Sequence, residues 1–97
     1  MELYSLSKKA EEDIQTIFEY GESKFGYGQA LNFLINLRDT FILLSENPQI
    51  GKMRNEIKEG LYSIPVESYV IFYRIIDTKI RIVRILHGSR DIQKFTF

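Results

Sequence analysis

Four arginines and one histidine in the second half of the chain are the side chains best suited to chemistry or to binding an anion. A guanidinium group binds phosphate or carboxylate oxygens through two parallel hydrogen bonds, which suits nucleic acid or an acidic protein surface. A histidine adds a group that donates or accepts a proton near neutral pH. The predicted target-binding residues are Arg54, Arg74, Arg84, His87 and Arg90.

A second interpretation gives the same residues a structural role. The arginines would then serve solubility or pair within the chain with Asp77, Glu67 or Asp91, and His87 would bond to backbone where a strand ends. The sequence offers no obvious second base near His87. It also contains no P-loop, GxGxxG or HExxH motif. We therefore expect a protein that acts by binding rather than by catalysis.

The composition excludes several classes of protein. The chain has no cysteine and one histidine, so it can form neither a disulfide nor a multi-histidine or thiolate metal site. We expect no metal ion and no cofactor. The opening Met1-Glu2-Leu3-Tyr4-Ser5 lacks the basic and apolar regions of a signal peptide, and no run approaches the roughly 20 apolar residues of a membrane span. These features predict a cytoplasmic protein without a membrane partner.

The 97 residues suit a single domain over 1–97, and 44% of them are hydrophobic, enough for a packed core. The net charge is zero, but its distribution is uneven. Residues 1–47 hold four basic against eight acidic side chains, and residues 48–97 hold nine against five. This asymmetry predicts a dipolar surface whose basic half meets an acidic partner or nucleic acid, unless its lysines and arginines are simply solvated.

The first half of the chain predicts a short strand followed by two helices. Leu3 to Leu6 alternate apolar and polar, and Ser7 is a suitable N-cap for a first helix. Gly26 is a plausible end for that helix, and a second helix follows from about Tyr27 to Ser45. Asn47-Pro48 ends it, because the residue before proline disfavours helical backbone. The short break predicts an antiparallel helix hairpin.

The second half predicts a polar loop over 48–59 and then an antiparallel meander of three strands. Leu61 to Val66 is a short strand whose Pro65 cannot donate to a neighbour, so it lies at an edge or ends at a bulge. Glu67 to Ile76 and Lys79 to His87 are the other two strands. The predicted fold class is α+β in the order β-α-α-β-β-β, with the helix hairpin on one face of a small antiparallel-rich sheet and the other face more open.

The sequence does not determine the register of the last hairpin. Asp77-Thr78 forms the turn. A three-residue loop would place Arg74 and Arg84 on one sheet face, whereas a two-residue loop would place Arg74 beside the set that contains Arg81.

Five segments, in order, resemble the ParE toxins of the ParE/RelE toxin–antitoxin superfamily. Lys9 to Ile14 resembles the opening of their first helix, and Glu46 to Gly51 resembles the end of their second helix with the loop that follows. Gly60 to Val66 and Tyr69 to Arg74 are similar to their second and third strands, and Ile82 to Asp91 to their closing strand and tail. Each segment is modest alone, but the ordered set spans nearly the whole chain.

The resemblance implies the toxin of a type II toxin–antitoxin system, with the fold of that superfamily. ParE toxins poison DNA gyrase, so inhibition of gyrase by binding is the implied activity. RelE relatives cut messenger RNA on the ribosome, which gives a ribosome-dependent endoribonuclease as the alternative. Here Gly88 follows His87 and no tyrosine comes after it, which weakens that alternative. Its catalytic residues would be Arg54, Arg74, Arg84 and His87.

The resemblance also implies a cognate antitoxin that wraps the toxin. The helix hairpin and the sheet edge would offer apolar grooves for it, where a helix docks and a strand adds to an exposed edge. The predicted antitoxin-binding residues are Leu31, Phe33, Leu34 and Phe41. A third hypothesis is a non-toxic binding module with the same fold.

Overall fold

The computed structural model describes residues 3–97, which form a five-stranded sheet with two helices on one face. In chain order the elements are β1 (Tyr4–Leu6), α1 (Lys8–Phe25), α2 (Tyr27–Glu46), β2 (Lys52–Met53), β3 (Leu61–Val66), β4 (Tyr69–Ile76) and β5 (Lys79–His87), followed by a short 3-10 helix at Ile92–Lys94. The predicted α+β class is confirmed. The segment predicted as a plain loop contains the two-residue strand β2. Met1 and Glu2, which begin the opening segment considered above, lie outside the described residues.

The ends of the two helices follow from local chemistry. Ser7 caps α1, because its Oγ accepts the Ala10 N–H at 3.0 Å. Gly26 lies between the helices at a φ of 95°, and its N–H donates to the carbonyl oxygen of Glu22. A residue with a side chain rarely adopts such a φ, so glycine allows the chain to reverse in one residue. Asn47 ends α2, as Asn47-Pro48 predicts.

The helix hairpin packs one side against the sheet and forms the main core. Burying a large apolar side chain contributes roughly 1.5–3 kcal/mol, and this cluster holds most of the fully buried ones. Its members come from both helices and the two longest strands: Ala10, Leu37, Phe41, Leu44, Ile71, Tyr73, Ile80, Ile82 and Ile85.

The strands lie in the order β1-β5-β4-β3-β2, with β1 parallel to β5 and the other pairs antiparallel. The predicted meander of β3, β4 and β5 is therefore confirmed. The short strand β2 pairs only with Tyr62 and Ser63 of β3. Pro65 lies past this stretch, on the part of β3 that has no outer neighbour, which is the edge position predicted for a residue without an N–H.

A two-residue turn at Asp77 and Thr78 decides the register of the last hairpin. Arg74 pairs with Arg81, as expected for the shorter loop. A β-bulge then shifts the pairing, so that Phe72 lies opposite Arg84 and Val83 is the extra residue of β5.

The second sheet face, predicted to be open, is covered by the tail, so that expectation was wrong. Leu61, Phe72 and Leu86 are buried there beneath tail residues. The Phe97 ring lies 4.7 Å from the Phe72 ring between centroids, and Lys58 Nζ donates to the main-chain oxygen of Phe97. The tail is polar on average, but its two phenylalanines, Phe95 and Phe97, pack on the apolar sheet face and shield it from water.

No helix in residues 3–97 is both long and apolar enough to cross a membrane.

Candidate functional site

A cleft of about 590 Å³ opens between α1, the end of β5 and the tail. Three of the five predicted target-binding residues line it, namely Arg84, His87 and Arg90. Two tyrosines, Tyr20 from α1 and Tyr69 from β4, form part of its wall. The structure therefore brings the end of the second half of the chain together with the first helix.

Arg84 is the most enclosed of the cleft cations, because it forms a two-pronged ion pair with Asp13. Its Nε lies 2.8 Å from Oδ2 and its Nη2 lies 2.9 Å from Oδ1, and the two side chains are 11% and 13% exposed. The Asp13 hydrogen bonds raise the pKa of Arg84, although burial works in the opposite direction. Phe95 covers the guanidinium with its ring centroid 5.1 Å away. Arg84 is thus a neutralised charge with little capacity left for a target.

The position of Asp13 follows from the end of β1. β1 pairs with β5 only at Ile80–Ile82. The backbone N–H and C=O groups of β5 beyond Ile82 on that edge therefore need other hydrogen-bond partners. Ser7 Oγ donates to the carbonyl oxygen of Val83 at 2.7 Å, and Asp13 Oδ2 accepts the N–H of Ile85 at 3.0 Å. An acid on the buried side of α1 therefore completes the sheet edge as well as holding Arg84.

The sequence interpretation missed Asp13, since it considered only Asp77, Glu67 and Asp91 as internal partners. A usable signal was present: Asp13 lies three residues after Ala10 and four before Ile17, on the apolar face of α1. A carboxylate at such a position must find a partner in the core.

His87 is held by its neighbour Ser89. Its Nδ1 accepts the Ser89 N–H at 3.1 Å and lies 2.7 Å from Ser89 Oγ. In the neutral ring this assigns the proton to Nε2, which leaves one donor. The Tyr69 ring packs edge-on against the His87 ring, with 5.3 Å between the ring centroids. No carboxylate within residues 3–97 hydrogen-bonds to His87, so the side chain is placed as a donor without an orienting acid.

Arg90 is the exposed cation of the cleft. Its guanidinium lies 5.8 Å from the centroid of the Phe95 ring, and it forms no salt bridge with an acidic side chain of the described part of the chain. An unpaired arginine that rests on an aromatic ring is available to an acidic or phosphorylated surface.

The other two predicted target-binding residues lie outside this cleft. Arg54 donates to Glu56 Oε2 at 2.7 Å and to Ser63 Oγ at 3.0 Å, in a second cleft beneath the tail. Its hydrogen bond lowers the pKa of Glu56. Arg74 donates to the carbonyl oxygen of Glu59 at 3.1 Å. The five predicted residues are therefore divided among three places.

The predicted antitoxin-binding residues do not share one surface either. Phe41 is 3% exposed and packs on Tyr4, so its prediction as a surface contact was wrong: it lies on the buried side of α2 with Leu37 and Leu44. Phe33 lines a groove of about 270 Å³ that adjoins the cleft. Leu31 is 38% exposed and Leu34 is half-buried.

The aromatic walls link that groove to the cleft. Tyr20, Phe25 and Tyr69 line both, and Tyr20 and Phe25 are 54% and 58% exposed. Apolar rings exposed along a concave surface are typical of a protein docking site.

The sheet edges offer little backbone for strand addition. β5 is closed by β1, Ser7 and Asp13, as described above. On β3, the N–H of Arg54 donates to the carbonyl oxygen of Leu61 at 2.7 Å, β2 covers the next residues, and Pro65 has no N–H to offer. Among the described strands, the outer edges of the three-residue β1 and the two-residue β2 remain, together with the end of β3 around Pro65 that β2 does not cover.

Within residues 3–97, no three histidine, aspartate or glutamate side chains lie close enough together to hold a metal ion.

Comparison with known proteins places this architecture in one family. The chain matches the family model for the ParE toxin of the type II toxin-antitoxin system parDE over residues 4–92. It is 32% identical to Toxin ParE1 of Caulobacter vibrioides over 91 residues, and 29% identical to Toxin ParE1 of Mycobacterium tuberculosis over 92, with 94% of each chain covered in both cases. A solved structure described as the chromosomal ParDE TA system from P. aeruginosa has the same fold, with a TM-score of 0.75 at 20% identity over 87% of this chain and 92% of that one. The chain belongs to the ParE toxin family of type II toxin–antitoxin systems.

Proposed function

We propose that this ParE-family chain inhibits DNA gyrase by binding to it in the cytoplasm, and that a cognate antitoxin neutralises it. The family match over residues 4–92 carries this proposal, because ParE toxins poison gyrase. The remaining support comes from the arrangement of the candidate residues.

The geometry of the cations favours binding over bond cleavage. Arg84 is already neutralised by Asp13, and Arg54 and Arg74 lie outside the cleft. His87 then remains as one hydrogen-bond donor, and Arg90 as a cation without an ion pair to any acidic side chain of residues 3–97. General acid–base cleavage of RNA needs a positioned proton acceptor together with cations around the phosphate, and these side chains do not provide that set.

The exposed part of the cleft has the composition of a binding surface. Arg90 and Tyr20 belong to the residue types that carry most of the energy in protein interfaces, and both are exposed. We therefore place the centre of the target contact at Arg90, Tyr20 and His87. Arg54 and Arg74 would contact a target only if it extends beyond the cleft.

The antitoxin would dock mainly as a helix. The closed sheet edges leave little for an added strand, whereas the groove beside Phe33 is apolar and continuous with the cleft. The solved ParDE system gives a precedent for a toxin–antitoxin pair in this fold. Leu31 and Phe33 are two residues apart on α2 and thus point to different sides, so one helix in the groove would not reach both.

A supercoiling assay with purified chain and gyrase tests the proposal. We expect supercoiling to fall and gyrase–DNA cleavage complexes to accumulate. Arg90→Ala should weaken inhibition by about thirtyfold if it is an interface hot spot, whereas the exposed Arg38→Ala on the helix hairpin should not. Unaltered supercoiling without cleavage complexes would exclude gyrase as the target.

A ribosome-dependent endoribonuclease stays as the second candidate, because Arg84, His87 and Arg90 do share one cleft. It predicts codon-linked cuts in translated messages that disappear in His87→Ala. Intact messages in cells that express the chain would remove this candidate.

Co-expression with the adjacent small gene tests neutralisation. We expect a stable complex with its product, and Phe33→Ser should weaken that complex more than Leu43→Ser, an exposed apolar residue elsewhere on α2. If no neighbouring product binds, the antitoxin part of the proposal fails.

A further inference from the structure

One aromatic ring of the tail, that of Phe95, contacts both arginines of the cleft. The guanidinium carbon of Arg84 lies 5.1 Å from the ring centroid, and that of Arg90 lies 5.8 Å from it. Phe95 is half-buried and also packs against the buried apolar cluster of the second sheet face. The ring therefore connects the packing of the tail on the sheet with the charged wall of the cleft.

Asp13 explains how two guanidinium groups can share one ring. Two like charges at this range repel each other, and the repulsion is stronger where water is partly excluded. Arg84 is bound by both carboxylate oxygens of Asp13, so the pair as a whole is neutral and stacks on the ring without driving Arg90 away. Arg90 forms no salt bridge with an acidic side chain of residues 3–97, so its positive charge faces the aromatic ring uncompensated.

A capped turn brings Phe95 back to Arg90. The Oδ1 of Asp91 accepts the N–H of Gln93 at 3.1 Å and so caps the 3-10 helix at Ile92–Lys94. The N–H of Phe95 then donates to the carbonyl oxygen of Ile92 at 3.2 Å. Because the chain folds back in this way, a ring five positions later in the sequence lies against the Arg90 side chain.

The side chain of Arg90 needs such a contact more than its backbone does. The N–H of Gly88 donates to the carbonyl oxygen of Ser68 at 2.8 Å, and the N–H of Arg90 donates to that of His87 at 3.0 Å, so the backbone is already fixed. An exposed arginine still has several rotatable bonds, and ordering them on binding costs conformational entropy. A ring that holds the guanidinium beforehand removes part of this cost.

We propose that Phe95 is a positioning residue for Arg90, and that its ring holds the guanidinium in the cleft ready for the target. Phe95 acts through Arg90 rather than by contacting the target. The inference rests on the proposed function where it concerns gyrase, but the position of Arg90 is measurable without gyrase.

Proton NMR of the full chain tests the positioning directly. The current of an aromatic ring shifts protons above its face upfield, so the Arg90 side-chain protons should lie upfield of their positions in the urea-unfolded chain. This shift should disappear in Phe95→Leu and persist in Phe95→Tyr, which keeps the ring. Arg90 resonances that Phe95→Leu leaves unchanged overturn the proposal.

Gyrase inhibition tests the consequence for binding. Phe95→Leu should weaken inhibition by about tenfold, whereas Phe95→Tyr should retain it. Phe95→Leu combined with Arg90→Ala should inhibit no more weakly than Arg90→Ala alone, because the ring then has no guanidinium left to position.

Phe97→Leu is the matched control, since it makes the same change in the same tail at a ring that packs on Phe72. It should lower stability but leave both the Arg90 resonances and the inhibition unchanged. Effects of Phe95→Leu and Arg90→Ala that multiply, or an equal loss of inhibition in Phe97→Leu, overturn the proposal. A parent chain that leaves gyrase active overturns the proposed function alone, and the Arg90 resonances then decide whether Phe95 positions this side chain.

Discussion

Asp13 determines what Arg84 can do. Sequence patterns predicted the arginine as a candidate for target binding, and the structure pairs it with an acid 71 positions earlier in the chain. No local spacing encodes a contact of that range, so only the odd placement of a carboxylate on an apolar helix face pointed to it. The same limit applies to Phe41: a heavily apolar helix does not reveal which of its phenylalanines is buried.

Replacing Asp13 tests the role of this pair. Asp13→Ala leaves a largely buried guanidinium without its partner and the Ile85 N–H without an acceptor, so the free energy of unfolding should fall by about 3–5 kcal/mol. Asp39→Ala is the control, since it breaks an ion pair with Arg38 whose side chains are both 60% exposed, and it should cost at most about 1 kcal/mol. Urea unfolding of both variants measures the difference. Equal effects would contradict a structural role for Asp13.

Gly51 is required by close packing rather than by its backbone angles. A Cβ there would lie 2.8 Å from the carbonyl oxygen of Ser63 and against the hydroxyl of Tyr73. Gly51→Ala should therefore destabilise the fold by about 1–3 kcal/mol. Gly28→Ala in α2, where a Cβ meets nothing within 4 Å, should instead stabilise it by up to about 1 kcal/mol. Thermal unfolding gives the melting temperature of each variant. A lower value for Gly51→Ala together with a higher one for Gly28→Ala would support this assignment, and a change in the same direction for both would refute it.

Tyr73 makes the fold sensitive to alkaline pH. Its hydroxyl donates to the carbonyl oxygen of Pro48 at 2.8 Å, and burial raises its pKa above the ordinary 10.0. The pKa of such a group is higher in the folded than in the unfolded chain, so the free energy of unfolding is unaffected below the unfolded-state pKa. Above it the unfolded chain loses the proton first, and the free energy of unfolding falls as the pH rises toward the folded-state pKa. The free energy of unfolding should thus fall above pH 10.0, and less steeply in Tyr73→Phe. Denaturant titrations of both proteins across that pH range measure this dependence. If the free energy of unfolding falls equally steeply with pH in the parent chain and in Tyr73→Phe, this account is contradicted.

At the scale of elements, the sequence was most informative where one residue determines a boundary. Ser7, Gly26 and Asn47-Pro48 set the helix ends through a cap, a positive φ and a proline, all of which are local effects. The β-bulge and strand β2 were not predictable, because both depend on pairing between strands distant in sequence. The cover of the second sheet face was not predicted for a related reason: the packing of Phe95 and Phe97 on that face depends on tertiary contacts rather than on local sequence.

The tail contributes to stability through Phe97. Phe97→Ala removes a ring that packs on Phe72 and uncovers the second sheet face, so the free energy of unfolding should fall by about 1–3 kcal/mol. Hydrogen exchange at β4 should speed up while exchange in α1 stays close to that of the parent chain. Thr96→Ala, an exposed neighbour, serves as the control. Unchanged exchange at β4 would show that the tail does not protect the sheet.

On the scale of the whole molecule, the uneven charge has a structural counterpart. The acidic half of the chain forms the helix hairpin, and the basic half forms most of the sheet and the tail. Such a dipole favours the approach of a negatively charged partner, such as the gyrase–DNA complex proposed as the target, from the side of the sheet and tail. The fold class and family were accessible from ordered motifs across the chain. The division of the candidate residues among three places was not, because it depends on tertiary packing.

The most direct test follows cells that express the chain without its antitoxin. A DNA-damage reporter and the integrity of translated messages are recorded in the same culture. A gyrase-binding toxin predicts induction of the reporter with intact messages, reversed when the antitoxin is supplied. Codon-linked message cuts and translational arrest without DNA damage, or growth that is simply unaffected, would contradict it.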